Sequence, residues 1–507
     1  MAGQNSKAHK TIFHTTEKSN FILNMTDQKF NKLSGIIMTI SFVLIALFSI
    51  LTEILSWQEG TIGLDVMGWF NFSGDFMTQL AYDWRFIPAA AVGISGILCA
   101  SIFIIAVIRQ TLTKRQIIPC ICAGIMFIFM YISSLNSSTS VSDYSWFLGY
   151  RYGRYEGFMV YLCYLLIFLA AAAISSRRTT GILLNVIMVI GFVQCIWSGL
   201  QCIPEFPGFY RSLVYSEHGI SSYLPSGVTG SPIFFASLTA VCLSISVIYA
   251  SLCDKKISRI IYCIFTLVFS FFLIRTRTLS SVISSGIILL LFIIISVISS
   301  TRNKIAYRKF ALPLIFMLAG MISSSVISYM NGFWLLDGAI MWQDGAARLI
   351  SFGYYTDKTR FNIDSITSLY PYLWETALKY IKMFPVTGLG PDGFIIPQMD
   401  LSMALGYKSD MTFDRPYNEY LFYAATLGIP FCIGFAGAVV YAVVMAVKAA
   451  VRFITEKSDW IGCALVLACV SYFAVSFINT SSATVTPFIW FILGISCSSL
   501  SKDKQQA

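Results

Sequence analysis

Histidine is nearly missing from this 507-residue chain, which has three. Two of them, His9 and His14, fall in the polar amino-terminal stretch, so a histidine-based metal centre elsewhere is excluded. Charge is scarce as well. Asp, Glu, Lys and Arg make up 12% of the residues, against roughly 25% in soluble domains. Hydrophobic residues reach 56% and mean hydropathy is +0.72, which excludes an ordinary soluble fold. A disulfide framework and a zinc spacing are both absent. The 13 cysteines lie almost wholly in apolar runs, for example Cys120, Cys122, Cys163, Cys263 and Cys469, and only Cys202 nears an outer loop. Cysteines so placed pack as small hydrophobes. No half-chain repeat is present and mid-span charge is almost absent, which weighs against a transporter built from duplicated halves around a polar path. Residues 1–33 are too long and too charged for a cleaved signal.

What the chain does have is a series of apolar runs, near 34–54, 87–108, 116–134, 158–175, 180–200, 231–252, 258–274, 279–299, 310–329, 417–447, 460–479 and 484–500. Each is near the ~20 residues that cross a bilayer. The expectation is an all-α, polytopic transmembrane helical bundle of about 12 spans. Basic stops fall at alternate turns: Arg109/Lys114/Arg115, Arg177/Arg178, Lys255/Lys256/Arg259, Arg302/Lys304/Arg308/Lys309 and Lys448/Arg452. By the positive-inside rule both termini are cytoplasmic. The chain then divides into a cytoplasmic tail (1–33), nine spans (34–329), a large extracytoplasmic loop (330–416), three spans (417–500) and a second cytoplasmic tail (501–507). Within the large loop, Leu373, Ala377, Leu378 and Ile381 recur at helical spacing between Pro371 and Pro385. They predict an amphipathic helix on the outer membrane surface, with Pro371 in its first turn and Pro385 as its stop.

This topology places 22 Lys and Arg inside and 13 outside, with 6 Asp and Glu inside and 19 outside. The net +10 is therefore a topology signal and implies no nucleic-acid partner. The inner set is 14 Lys to 8 Arg, whereas the outer set is 9 Arg to 4 Lys. Solvated anchoring charge would favour lysine at least as much. Arginine's planar fork suits two-point contact with phosphate or carboxylate, so the outer face is suited to a phosphorylated or acidic substrate.

Several outer segments concentrate polar chemistry. Gly149-Tyr-Arg151-Tyr-Gly-Arg154-Tyr-Glu156-Gly157 opens the fourth span; its arginines can clamp a diphosphate or belong to an interfacial Tyr/Arg belt. Arg275-Thr-Arg277 occupies a tight outer turn with two arginines and no acid, where positive charge is normally shed. Gly388-Leu-Gly390-Pro-Asp392-Gly393 reads as a tight turn in preference to an anion cradle. Asp414-Arg415-Pro-Tyr417-Asn418-Glu419 enters the tenth span, a costly place for such groups unless they face a cavity, although a helix cap also accounts for part of it. His218 sits beside Glu217 in a polar loop, most simply as a solvated side chain.

Together these segments resemble the O-antigen ligase/polymerase superfamily of bacterial membrane glycosyltransferases over about residues 149–445. Arg154-Tyr-Glu-Gly157 is similar to the family's Arg-x-x-Gly entry, Gly230-Ser231-Pro232 to its Gly-Asn-Pro turn, and Thr276-Arg277 to its Ser/Thr-Arg turn. Trp374 through Phe394 resembles its Trp-helix-Pro-x-x-Gly-x-Gly-Pro stretch, and Asp414-Arg415-Pro-Tyr417-Asn418 its Asp-Arg-x-His-Asn signature, with Gly428 at the family's spacing. Tyr417 departs from the family histidine, and a tyrosine with a pKa near 10 is a poor base at neutral pH.

The resemblance implies a metal-independent glycosyltransferase without cofactors. It would polymerise undecaprenyl-diphosphate-linked oligosaccharide repeats on the outer face of a bacterial plasma membrane, with membrane lipid, a flippase and a chain-length regulator as partners. Arg277, Arg415, Tyr417 and Asn418 are its candidate catalytic residues. Arg154, Arg277 and Arg415 are the leading diphosphate contacts. Arg151, Arg275, Arg348 and Arg360 are further candidates for diphosphate or acidic sugars. Asp414, Glu419, Glu156 and His218 are candidate bases. A ligase moving finished glycan to an envelope acceptor is the alternative within the class; a lipid-linked oligosaccharide flippase or transporter is the alternative outside it.

Overall fold

The computed structural model describes residues 25–61, 86–135, 155–203, 212–215, 221–330, 363–394, 415–456 and 460–498, with Ile22, Phe147 and Gly149. Among them the chain is a helical bundle, as the apolar runs predict. Nine helices are long and apolar enough to cross a membrane. They are α1 (Asp27–Thr61), α2 (Phe86–Ile108), α3 (Lys114–Leu135), α5 (Arg177–Gln201), α6 (Pro232–Leu252), α7 (Lys256–Arg275), α8 (Leu279–Asn303), α9 (Arg308–Met330) and α12 (Ile429–Glu456). Three shorter apolar helices complete the set, α4 (Phe158–Ala173), α13 (Ile461–Val475) and α14 (Thr486–Cys497). Two further helices lie outside this series, α10 (Ile363–Met383) and the short α11 (Glu419–Leu427). The all-α expectation needs one addition. The loop after α5 carries an antiparallel hairpin, β1 (Ser212–Tyr215) and β2 (Ser221–Leu224), with Tyr215 opposite Ser221.

Helix α6 is the axis of the bundle. Its apolar window is wholly buried, and it packs against α7, α8, α9 and α13. Its hydroxyls are satisfied within the helix, Thr239 donating to the Phe235 carbonyl and Ser244 to that of Ala240. That is the economical solution where water is excluded. The outer helices instead turn Ile, Val and Leu outward, including Ile97 on α2, Leu290 on α8 and Ile315 on α9, as a lipid-facing surface requires.

The helix ends sort into two groups. At one end Arg109 pairs with Asp27 at 2.6 Å and Lys309 with Asp254 at 3.2 Å. The other end gathers Glu156, Asp392, Arg415 and Ser481. This is the alternation that the basic stops predict.

Two elements differ from the expected helices. Helix α10 begins at Ile363, so Pro371 lies inside it and not in its first turn. Its face carrying Leu373 and Ala377 is buried on the protein, while Leu378 is exposed. The tenth span is not continuous. It breaks at Gly428 between α11 and α12, where φ is +89° and an added Cβ would lie 2.0 Å from the Val386 carbonyl oxygen. The segment after α10 plugs this break. Leu389 N–H donates to the Ala425 carbonyl at 3.0 Å and Gly390 N–H to that of Thr426 at 2.9 Å, while Ile429 N–H donates to the Pro385 carbonyl at 2.8 Å. Backbone groups freed by the break are thereby paired, as a broken membrane helix demands. The same bonds show what Gly388-Leu-Gly390 does: the amides of Leu389 and Gly390 are used on the helix.

Candidate functional site

Arg415 is the centre of a buried polar knot. Its side chain is fully enclosed, as is that of Glu156, and Arg415 Nη2 lies 2.6 Å from Glu156 Oε2. Asp392 Oδ1 is 3.5 Å from the same nitrogen. Arg415 Nη1 donates to the Ser481 carbonyl at 3.1 Å and to Ser481 Oγ at 2.9 Å. The guanidinium also lies 4.6 Å from the centroid of the Phe422 ring. Glu156 in turn accepts from Ser481 Oγ at 3.0 Å and from the Tyr164 hydroxyl at 2.5 Å. One arginine thus ties together the entry to α4, the turn after α10, the approach to α11 and the turn between α13 and α14. Trp374 on α10 adds a clamp, its Nε1 donating to the Pro416 carbonyl at 3.0 Å.

Next to this knot, Asn418 caps α11, its side-chain oxygen accepting from Leu421 N–H at 3.0 Å. The cap satisfies an orphan helix donor and gives Asn418 a structural duty. Glu419 follows, buried, and accepts from the Tyr423 hydroxyl at 2.7 Å and from the Tyr472 hydroxyl at 2.5 Å. A small cavity adjoins it, lined by Ser237, Glu419, Tyr472, Asn479, Thr480 and Ser482 among others. Its open core has room for roughly one water molecule. A second cavity shares Ser237 and Tyr472 and extends to Ser280 and Ser284 on α8.

Ser280, which lines that second cavity, follows the arginine turn in the chain. Only Thr276, Arg277 and Thr278 separate α7 from α8. Thr278 caps α8, accepting from Ser281 N–H at 3.1 Å, and the hydroxyls of Thr276, Thr278 and Ser280 follow one another at 3.3 and 2.9 Å. Arg277 is fully buried and holds φ at +53°. Arg275 is buried too, but its Nη1 turns to Ser328 Oγ on α9 at 3.1 Å. Tyr155, Asp392 and Tyr417 share the left-handed conformation, at φ +58°, +58° and +50°. Such backbone costs about 1–3 kcal/mol at each non-glycine residue and concentrates at functional sites. These four belong to the segments that build this site, while Gln110 and Lys304, at φ +53° and +52°, sit in turns among the basic stops.

The structure therefore joins Glu156, Arg415, Tyr417, Asn418 and Glu419, and buries Arg277 in the α7–α8 turn, where Ser280 of the second cavity bonds to Thr278. It separates Arg275 from them. Arg151, Arg154, His218, Arg348, Arg360 and Asp414 lie outside the described residues. Sequence reasoning passed over Tyr164, Tyr423, Tyr472 and the Asn479-Thr480-Ser481-Ser482 turn, and read Asp392 only as part of a tight turn. The turn carried a signal, four consecutive polar residues between two apolar spans. Tyr423 is one helical turn beyond Glu419 and was also within reach of pattern reading. Among the described residues, no three of His, Cys, Asp and Glu gather as metal ligands would.

Residues 262–436 match the family model described as O-antigen ligase. That segment is similar to the O-antigen ligase family. The matched segment holds the Arg277 turn, α10, the plug at 385–390, Arg415 and the break at Gly428. It is narrower than the 149–445 resemblance, and leaves out Glu156 and Ser481, which bind Arg415 from outside it. No relative is found among curated proteins. Around the matched residues the bundle holds nine helices, among those described, that are long and apolar enough to cross a membrane.

Proposed function

We propose that the protein polymerises undecaprenyl-diphosphate-linked repeats on the outer face of a bacterial plasma membrane. The observation that carries this reading is the full burial of Arg277 and Arg415, both within the segment that matches the O-antigen ligase family, in an otherwise apolar helical body. A lipid diphosphate gains charge as the glycosidic bond breaks, and preorganised arginines in a water-poor site stabilise that charge strongly.

The two arginines divide the work. Arg415 already faces two carboxylates, Glu156 and Asp392, so its immediate cluster has a net charge of about −1 when all three groups are ionised. A diphosphate would be repelled there. Arg277, in a turn with no acid, is the better diphosphate contact, and Arg415 acts by bracing the segments around it. Arg151, Arg154, Arg348 and Arg360 are further contacts for diphosphate or acidic sugars.

Polymerase is favoured over ligase because Tyr417 stands where ligase members carry histidine. Tyr417 is buried at φ +50°, as suits a packing or orienting role. Tyr417→Phe is expected to keep at least half of the wild-type elongation rate, measured as polymer ladder in complemented cells. A fall of about 100-fold, typical of a lost acid–base group, would give its hydroxyl a chemical role and reopen the ligase reading. Gene deletion separates the classes directly. Loss of a polymerase leaves single repeats on the lipid carrier or final anchor; loss of a ligase leaves long polymer on the carrier. An unchanged glycan profile would reject both and favour a transporter.

A further inference from the structure

Diphosphate chemistry leaves the cavity beside Glu419 without a use. Its polar lining is a carboxylate, the Tyr472 hydroxyl, the Asn479 amide and the hydroxyls of Ser237, Thr480, Ser482 and Thr486. This set contains donors and acceptors but no cation, and its one formal charge is negative. It repels phosphate and suits a neutral hydroxyl. The size agrees, since the open core admits roughly one water, the bulk of a single hydroxyl group. The cavity is also placed for the reaction. Thr480 and Ser482, on either side of the Ser481 that holds Arg415, line it, and its neighbour is lined by Ser280, whose hydroxyl bonds to Thr278 beside Arg277.

We infer that this cavity receives the attacking hydroxyl of the acceptor glycan and that Glu419 is the base that takes its proton. The inference rests on the glycosyl-transfer reading above. The acceptor oxygen forms a bond to the anomeric carbon of the donor glycan. The bond from that carbon to the diphosphate oxygen breaks, and its electron pair leaves with the lipid diphosphate. The hydroxyl proton passes to Glu419 and from there to solvent. The Tyr423 and Tyr472 hydroxyls each occupy one Glu419 oxygen, leaving a lone pair on each and fixing the carboxylate's orientation. Asn479 Nδ2 donates to Ser237 Oγ on the far side, which holds the opposite wall in place.

The groups facing Glu419 are Tyr420 and Tyr423 from its own helix, Tyr472 from α13, Cys432 from α12, and Glu156 and Arg415 across the knot. Among the described carboxylates, only Glu419 both lines the cavity and lacks the arginine ion pair that occupies Glu156 and Asp392.

The test uses the full-length protein in lipid nanodiscs, with the lipid-linked single repeats extracted from the deletion strain as both donor and acceptor. Glu419→Gln keeps size and hydrogen bonding and is expected to slow elongation by about 100-fold or more. Glu419→Asp, whose carboxylate is withdrawn by one methylene, is expected to fall about 10-fold. Stabilisation of the protein by added undecaprenyl diphosphate is expected to persist in both. The wild-type rate is expected to fall on the acid side as the base is protonated, and that limb is expected to vanish in Glu419→Gln. Ser237→Ala, a milder change to the opposite wall, is expected to raise the substrate concentration giving half-maximal rate several-fold. Glu419→Gln working at a third or more of the wild-type rate would make the cavity a structural water site and overturn the inference. So would loss of the diphosphate response in a folded Glu419→Gln, which would make the residue structural. If Glu419→Gln does not fold, an unchanged concentration dependence in Ser237→Ala overturns the inference. A wild-type protein that cannot lengthen the extracted repeats would instead defeat the functional reading itself.

Discussion

Glu156→Ala is expected to lower the protein's apparent melting temperature sharply and to abolish elongation. Glu156 is the nearest carboxylate to Arg415, at 2.6 Å, and both side chains are fully buried. Removing one member of a buried pair leaves the other charge uncompensated, which costs about 3–5 kcal/mol. Asp392 remains 3.5 Å away and Ser481 still accepts two hydrogen bonds, so the lower part of that range applies. The change also strips the Tyr164 hydroxyl of its acceptor. A double variant separates stability from function. Glu156→Gln combined with Arg415→Gln replaces the ion pair with neutral groups of similar size, and such exchanges are often near neutral in stability. The double variant is expected to recover much of the lost melting temperature while elongation stays low, because the four segments are no longer drawn together by charge. Thermal unfolding of wild type, Glu156→Gln, Arg415→Gln and the double variant in detergent measures the coupling as a cycle. A Glu156→Ala protein that melts with wild type would show that the knot contributes little.

The bundle was legible because hydropathy and alternating basic stops are local signals that the bilayer imposes on each helix separately. The Arg275-Thr-Arg277 turn was legible for the same reason, as a charge anomaly between two short-linked spans. The break at Gly428 was not. Past Glu419 the run is apolar, and although Gly428-Ile-Pro430 interrupts it, a membrane helix can carry both residues; the break is held by the segment at 385–390, which supplies replacement hydrogen bonds from another part of the chain. Pro371 misled in the opposite direction, because a helix can carry one proline at the loss of a single backbone bond, and α10 starts eight residues earlier. The Arg415 knot was half legible. Arg415, Glu156 and Glu419 each stood out as polar groups at a membrane mouth, but nothing local says that Glu156 pairs with Arg415 while Glu419 is held by tyrosines. That division depends on how α4, α11 and α13 pack, and it assigns the two glutamates different chemistry.

Arg277→Lys keeps the charge and removes the fork, and is expected to cost about 10- to 100-fold in elongation rate at unchanged protein level. Two properties of the site make lysine a poor substitute. Arg277 is held in the left-handed region by a three-residue turn capped on both sides, so its side chain projects from a fixed base. It is also buried, where an ammonium ion is harder to desolvate than a guanidinium. A diphosphate held by two parallel N–H bonds loses one of them with lysine. A charge-assisted hydrogen bond is worth roughly 1.5–3 kcal/mol, which converts to the stated fall at 1.36 kcal/mol per decade. The loss is expected chiefly in the rate constant at saturating lipid, because the diphosphate's charge grows on the way to the transition state. Titrating the extracted lipid-linked repeats against wild type and Arg277→Lys reads this directly. Arg275→Lys is the internal control, since Arg275 bonds Ser328 on α9; it is expected to stay within about threefold of wild type. Equal rates for Arg277→Lys and wild type would leave Arg277 as a buried anchor of the α7–α8 turn and move the diphosphate to other arginines.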